Sequence, residues 1–552
     1  DDGASVRITD EHAGVRGNAH TVAYYATRAR LRMDPAPAPP DGPAEPVRLA
    51  MADTGEGRFA ALEADLRTGR IDLPGPGRLR TEDAVLEWSD QALLALAVNE
   101  ADELTDRLTH AEFAGAVDAL ANDGRVFAEA LSVDFAEVDG RSALSAAVIT
   151  RGSIEADSLD VANARALAAD LIHADFRPAP GRADPARVEA SGSVRARADG
   201  ADLTADHAVA DFEPDDAGRA ALRAAHASGA VRYDAADDTH AAGDELAVDA
   251  LNETLRLTGP EAFVAQGDST VHGADINLDA RARRMTVAGA GRFEHVLRDA
   301  EGLPAGRVLA RWSESMRFDD APGRLAALGE VSVVSTPDAF TRDTLSAHRV
   351  EVELTPAPTR DAIDAKPARR ELEIARAYGH ERPATVETRR YDPDDPERVT
   401  GLLYLEGDQV VADARAQTLR VPGAGTLLVM DRRPEDAAPE PRAPDADPAP
   451  LGPGLTRFTW RGAFDLDRAA GVAVMDDRVM VRHKTIGPPG NAAPQIAELQ
   501  TDLLTATFSE SDAAGNAFAL RAADARGTVI FHASGRPLRA DGAAGLEAAD
   551  AE

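Results

Sequence analysis

Four segments of the chain repeat one pattern closely enough to constrain its local folding: LEADLRTGRIDLPG (Leu62–Gly75), LAVDALNETLRLTG (Leu246–Gly259), INLDARARRMTVAG (Ile276–Gly289) and VVADARAQTLRVPG (Val410–Gly423). Each opens on apolar residues, has Asp at its fourth place, crosses a polar stretch, and closes with an alternating apolar pair and Gly. In the second copy Leu246 and Val248 share one face of a strand. Asp249 suits a turn, because its carboxylate accepts backbone N–H groups just downstream. Leu255 and Leu257 alternate again, and Gly259 ends the strand where positive φ or a close approach is required. The unit is a β-hairpin with one apolar and one wet face. A lone hairpin is marginally stable at best, so the apolar faces must cover one another.

The third copy follows the second at a spacing of 30 residues, Gly243 to Gly273. The fourth matches the second without a gap from Gly407 to Gly423, and the first has Phe59 where the others have the leading Gly. Such periods indicate stacked units sharing a continuous core. Three copies continue as Gly-x-Gly: PGPGRL at Pro74–Leu79, AGAGRF at Ala288–Phe293 and PGAGTL at Pro422–Leu427. Downstream of each lies one of the chain's tryptophans, Trp88, Trp312 and Trp460. The last two segments align without gaps: Met316 with Phe464, Phe318 with Leu466, Asp319 with Asp467, Gly323 with Gly471, Val331 with Val479, Val333 with Val481. Phe113, Gly115 and Val117 form a less similar counterpart of Leu328-Gly329-Glu330-Val331.

The prediction is an all-β fold of stacked antiparallel hairpins, an elongated β-jelly-roll or solenoid-like array. It is divided into modules at 1–135, 136–354 and 355–508, with a further unit beginning at 509–552, where HASG at His532–Gly535 echoes His226–Gly229. Two stretches carry helical spacing: Asp90–Leu120, with Leu93, Leu94, Leu96, Leu104 and Leu108, where strands around an insertion are the alternative, and Asp215–Ala227. Pro-rich segments at Pro35–Pro46, Pro178–Pro185, Thr355–Pro367 and Pro434–Gly454 are unsuited to central strands and are expected as surface loops or insertions.

Composition narrows the function. A net charge of −35 over 552 residues argues against gripping a nucleic-acid backbone or an anionic leaflet, so no nucleic-acid partner is expected. There are no cysteines, hence no disulfides or thiolate metal sites. Lys366 and Lys484 are the only lysines; with abundant Ala, this reads as a GC-rich genome. The longest apolar run, Ala92–Val98, is too short to span a membrane as a helix. The opening residues carry no secretory leader, and a fragment or a mature chain released from a leader or anchor is expected.

Candidate chemistry is thin. Asp65, Asp249, Asp279 and Asp413 are read as turn caps rather than carboxylate pairs or metal ligands. The run Asp392–Glu397 lacks the spacing and Gly of a calcium loop. Ser269, Asp268 and His272 lack a nucleophile elbow. No zinc, P-loop or dinucleotide fingerprint is present, and no cofactor or catalytic residue is assigned. The tryptophans are weighed as core plugs above sugar-stacking platforms.

The repeat, carried by Gly243–Gly259, Gly273–Gly289, Gly407–Gly423 and, more weakly, Phe59–Gly75, resembles that of the OstA-like family of lipopolysaccharide-transport proteins. The resemblance implies a β-taco, a folded sheet with an apolar groove that shields acyl chains, and stacking onto like proteins through sheet edges. Lipopolysaccharide or a related lipid and other OstA-like proteins are then the partners, and the location is periplasmic or otherwise extracytoplasmic. The residues expected to line the groove are Leu246, Val248, Leu255, Leu257, Ile276, Leu278, Met285, Val287, Val410, Leu419 and Val421. A structural or adhesive β-solenoid with a closed core is the alternative, and a β-helix polysaccharide-acting enzyme a third. On the residues alone, open groove and closed core stand nearly even.

Overall fold

The computed structural model describes residues 6–10, 15–37, 45–51, 55–81, 84–99, 104–121, 124–156, 165–179, 182–198, 200–216, 218–236, 238–299, 301–355, 371–431, 454–485, 496–508 and 520–534. Among these, the regular elements are β-strands, apart from a single 3-10 turn at Ala26–Arg28. The fold is all-β and built of stacked antiparallel hairpins.

Both helical expectations are corrected. Leu93, Leu94 and Leu96 lie in the strand Gln91–Val98, and Leu104 and Leu108 in Leu104–Ala121, the alternative of strands around an insertion. Ala220–Ala235 is a strand paired with neighbours on both sides, so an alanine-rich stretch of good helix propensity yields to cross-strand pairing. The Pro178–Pro185 segment is not a loop insertion. Pro178 pairs with Ala183 and Phe176 with Pro185, beside a register shift that eases proline into the sheet. The other three Pro-rich segments lie largely outside the described residues.

Two compact units divide the chain: Asp1–Gly267 with Ala274–Arg281, and Asp268–Gly273 with Ala282–Glu552. Each contains two antiparallel ladders. In the first unit one ladder, here the hairpin ladder, runs from Thr21–Tyr25 and Arg30–Asp34 through Leu62–Asp65, Arg70–Pro74 and Gln91–Val98. The other, the Trp ladder, joins Val47–Met51, Gly55–Phe59, Gly77–Arg80 and Ala84–Trp88. Long strands such as Leu104–Ala121, Arg182–Ala198 and Ala220–Ala235 then belong to both ladders in turn. The second unit repeats the scheme: Ser315–Asp319, Gln409–Asp413, Thr418–Pro422 and Ala463–Asp467 lie in its hairpin ladder, and Pro304–Trp312, Val399–Gly407, Gly425–Asp431 and Gly454–Trp460 in its Trp ladder.

A strand changes ladder at a bulge. The register slips between Ala114 and Val117, Ser191 and Val194, Ser228 and Val231, Leu328 and Val331, and Asp476 and Val479. The residues at these breaks sit in the left-handed region, for example Gly115 (φ 77°) with Ala116 (φ 41°) and Gly329 (φ 83°) with Glu330 (φ 41°). A residue inserted there bends the strand. At Gly192 and Gly229 a Cβ would collide with the carboxylates of Asp170 and Asp206, so a small residue is required as well as the positive φ. The bend folds the sheet and brings the apolar faces of the two ladders together. In the first unit the Trp88 ring stands 5.3 Å from Phe113; in the second, Trp460 stands 5.1 Å from Phe464.

Candidate functional site

The repeat explains itself at the fold of the sheet. A Cβ on Gly273 or Gly407 would overlap Cγ1 of Val287 or Val421, and one on Gly243 would lie 3.1 Å from Cγ of Leu257. The leading Gly of the second, third and fourth copies is thus required because the last apolar side chain of the same copy fills its place. The closing Gly has positive φ in every copy: Gly75 82°, Gly259 146°, Gly289 81°, Gly423 101°. The second Gly of each Gly-x-Gly, at Gly77, Gly291 and Gly425, lies against an indole: a Cβ there would collide with Cζ2 of Trp88, Trp312 and Trp460. All three tryptophans are buried, and the indole N–H of Trp88 donates to Gly75 O (3.1 Å), that of Trp460 to Gly423 O (2.9 Å). They are built into the core, as the plug reading expects.

Three of the four turn aspartates do what turn chemistry predicts. Asp65 Oδ1 accepts from the N–H of Arg67 (3.1 Å), Asp249 Oδ1 from Asn252 (3.0 Å) and Asp413 Oδ1 from Ala416 (2.7 Å). These bonds, to Arg67 and to Asn252, hold the carboxyls of Asp65 and Asp249 below the usual range. On the wet face, arginines pair across strands, as Arg256 with Asp275 (2.8 Å) and Arg284 with Asp319 (2.6 Å). Such exposed pairs contribute little stability.

The apolar faces form rungs, counted outward from the bend. Leu246, Leu257 and Ile276 pair across three strands of the first unit as one rung, and all three are buried. Val248, Leu255 and Leu278 form the next rung outward, and each is half-buried. In the second unit Val287, Val410 and Val421 are buried on the first rung, and Met285 and Leu419 half-buried on the second. The eleven residues read from the sequence thus lie at two depths in the hairpin ladder of their own unit, the inner buried and the outer half-buried.

The facing wall was not legible in the hairpin repeat. Its strands supply Leu403, Leu427 and Val429 in the second unit, which with Leu419, Phe464, Leu466 and Phe508 line a wholly apolar cavity of about 20 Å³. A larger hollow of about 310 Å³ in the first unit is lined partly by the charged, wet-face residues Arg70, Asp72 and Glu112. It does not have the character of an apolar slot.

Ser269 Oγ lies 2.9 Å from Nδ1 of His295, not against His272, while Asp268 pairs with Arg298, so Ser269, Asp268 and His272 form no triad. Among the described residues no group of three or more His, Asp or Glu is disposed to hold a metal ion. The Asp392–Glu397 run is a pair of turns, with Asp394 N–H donating to Asp392 (3.0 Å) and Glu397 N–H to Asp395 (3.2 Å).

In each unit two apolar walls are joined along a bend and built hairpin by hairpin. Residues 180–284 match the family model of the LptA/(LptD N-terminal domain) LPS transport protein. The match covers the second copy of the repeat and the third as far as Arg284. Similarity to solved structures is remote. LptH, the LptA homologous periplasmic component of the conserved lipopolysaccharide transport device from Pseudomonas aeruginosa, is 12% identical, with 25% of this chain and 96% of that chain covered and a TM-score of 0.18. TcdB2–TccC3 is 9% identical, with 97% of this chain and 32% of that chain covered and a TM-score of 0.07. No curated protein matches the chain. The similarity to a known family therefore rests on residues 180–284.

Proposed function

We propose that the chain is a non-enzymatic, extracytoplasmic lipid-binding protein of the lipopolysaccharide-transport type, which shields acyl chains between the walls of its folded sheets. The observation that carries this reading is the burial step along the hairpins at 246–259, 276–289 and 410–423. Leu257 is 1% exposed, whereas Leu255, two residues nearer the turn and on the same face, is half-buried. An apolar wall left partly open over many strands gives alkyl chains surface to cover, at about 25 cal/mol per Å² removed from water. Passage would be sliding along the walls, driven elsewhere. The family match at 180–284 supports lipopolysaccharide as cargo and like proteins as neighbours through sheet edges.

Photocrosslinking tests it. Benzophenone side chains placed at Leu255, Met285 and Leu419 are expected to capture purified lipopolysaccharide, and one at outward-facing Arg256 is not. Equal labelling at all four positions, or none at any, would sink the proposal.

A second reading, a structural β-array with a sealed core, draws on one observation. Between Phe464 and Phe508 the second rung is closed as well, with Leu466, Ala473 and Ala506 all buried. Under that reading the inward positions would take up no lipid.

A further inference from the structure

The Trp ladder of the second unit has a third rung of a different kind. Counting outward from Trp312 and Trp460, the first two rungs are mostly apolar: Ala310 with Val333, and Phe458 with Leu427 and Val481. The third carries hydrogen-bonding side chains on the same inner face. His295 is opposite Val308, which is opposite Ser335; Ser335 is opposite Asp343, and Asp343 opposite Thr388. Leu403 and Val429 continue the line to Thr456 and His483.

Three of the contacts are cross-strand hydrogen bonds on this rung: Ser269 Oγ to His295 Nδ1 (2.9 Å), Thr388 Oγ1 donating to Asp343 (2.7 Å), and Thr456 Oγ1 to His483 Nδ1 (2.9 Å). The first two pairs are half-buried, and the third is buried. Nε2 of His483 is buried with no hydrogen-bond partner among the described residues, which costs free energy unless something else satisfies it. In the first unit the same rung runs through Ala84, Ala121, Ala156, Ala198, Ala201 and Ala235, with Arg165, Thr239 and Gln266 also on it, so most of its positions are met by alanine and the folded sheet does not require polar groups at them.

We propose that this rung is a hydrogen-bonding track for the uncharged, hydroxyl-bearing linkage between the tails and the head of an acylated amphiphile. The inference rests on the lipid-binding reading above and adds where the head begins. The distance from the Trp rung to the polar rung is four residues of strand, roughly 13 Å, all of it lined mainly by apolar side chains. Tails therefore occupy the inner rungs and the linkage meets Ser, Thr, His and Asp.

The chemistry selects hydroxyls over phosphate. No Lys or Arg stands on this rung from Ser269 to Ala497, and Asp343 contributes a carboxylate, which accepts from hydroxyls and repels an anion. His483 is held neutral by burial, which pushes its imidazole below the usual range. The nearest cation on the same face is Arg390, one rung further out, opposite Thr341 and Gly401.

Two twelve-carbon probes with different heads, dodecyl glucoside and dodecyl phosphate, separate the outcomes on the full-length chain. Dodecyl glucoside is expected to bind about tenfold more tightly than dodecyl phosphate, the size of one good hydrogen bond to a charged acceptor. The D343N/T388V variant, which keeps side-chain volume, is expected to bring that ratio near one, by weakening dodecyl glucoside and by leaving dodecyl phosphate bound as tightly or more tightly once the Asp343 charge is gone. A thermal midpoint close to that of the parent checks that the variant is folded, and Ser335→Ala gives a milder second variant if it is not. Equal binding of the two heads, a preference for phosphate, or a glucoside preference that survives both variants would overturn the track and leave the lipid-binding reading standing. Binding of neither probe would overturn both.

Discussion

The hairpins around residues 246–287 and those around 464–508 share one antiparallel backbone plan, yet they close differently. In the first region the inner rung of Leu246, Leu257 and Ile276 is sealed while Val248, Leu255 and Leu278 remain half-buried. In the second, Phe464 and Leu504 seal the inner rung, and Leu466, Ala473, Ala506 and Phe508 are buried beyond it. The difference is aromatic volume. Where the first region carries Leu, Ile and Val, the second adds Phe464 and Phe508, and a cavity of about 20 Å³ is what remains between its walls. One backbone plan therefore yields a partly open slot or a filled one, according to the side chains it carries.

The sharpest way to break this comparison is to empty the filled region. Phe508→Ala is expected to cost about 3–5 kcal/mol of stability, the range for removing a buried aromatic side chain, and to admit a solvatochromic alkyl probe. Leu255→Ala, at a half-buried position, should cost no more than about 2 kcal/mol. Equilibrium unfolding in denaturant reads both; equal losses would mean that the two regions are packed alike.

The next effect concerns the bend that both regions share. Gly407→Ala places a Cβ against Val421 and should cost about 1–3 kcal/mol through overpacking. Adding Val421→Ala should recover part of that loss, a coupling that a double-mutant cycle measures directly. Independent losses would show that the leading Gly serves something other than close approach.

A smaller effect separates two tryptophans that align in sequence. Trp460 donates to Gly423 O, whereas the buried indole nitrogen of Trp312 has no hydrogen-bond partner among the described residues. Phe substitution should therefore cost about 1 kcal/mol more at Trp460 than at Trp312, read as the difference between the two shifts in unfolding midpoint.

The smallest effect is the part of the pH dependence that the 464–508 region contributes through His483. Burial lowers the pKa of His483, so near pH 6.5 and just below it the unfolded chain binds a proton that the folded chain refuses. Stability is then fully present above that range and falls as the pH drops through it. His483→Leu should flatten this slope; an unchanged slope would place the acid sensitivity elsewhere.

Much of the fold was legible before any coordinates. The repeated hairpin, the turn role of Asp65, Asp249 and Asp413, the positive φ of the closing glycines, and the alignment of Trp312 with Trp460 all follow from local rules acting within a few residues. The misreadings have a common cause. Leu93 to Leu108 and Asp215 to Ala227 have spacings that suit a helix locally, and pairing with strands tens of residues away overrode them. Proline at Pro185 was tolerated because a bulge stands beside it.

The sequence by itself determined the hairpins and which of their faces is apolar, because alternation and turn chemistry operate at short range. Only the tertiary structure decided how deep each apolar residue lies, which strands face it, and that Ser269, Asp343, Thr388 and His483 stand on one rung. Ser269 and His483 are 214 positions apart in the chain, and a single polar residue within a strand reveals its neighbours only when register and bend have brought them together.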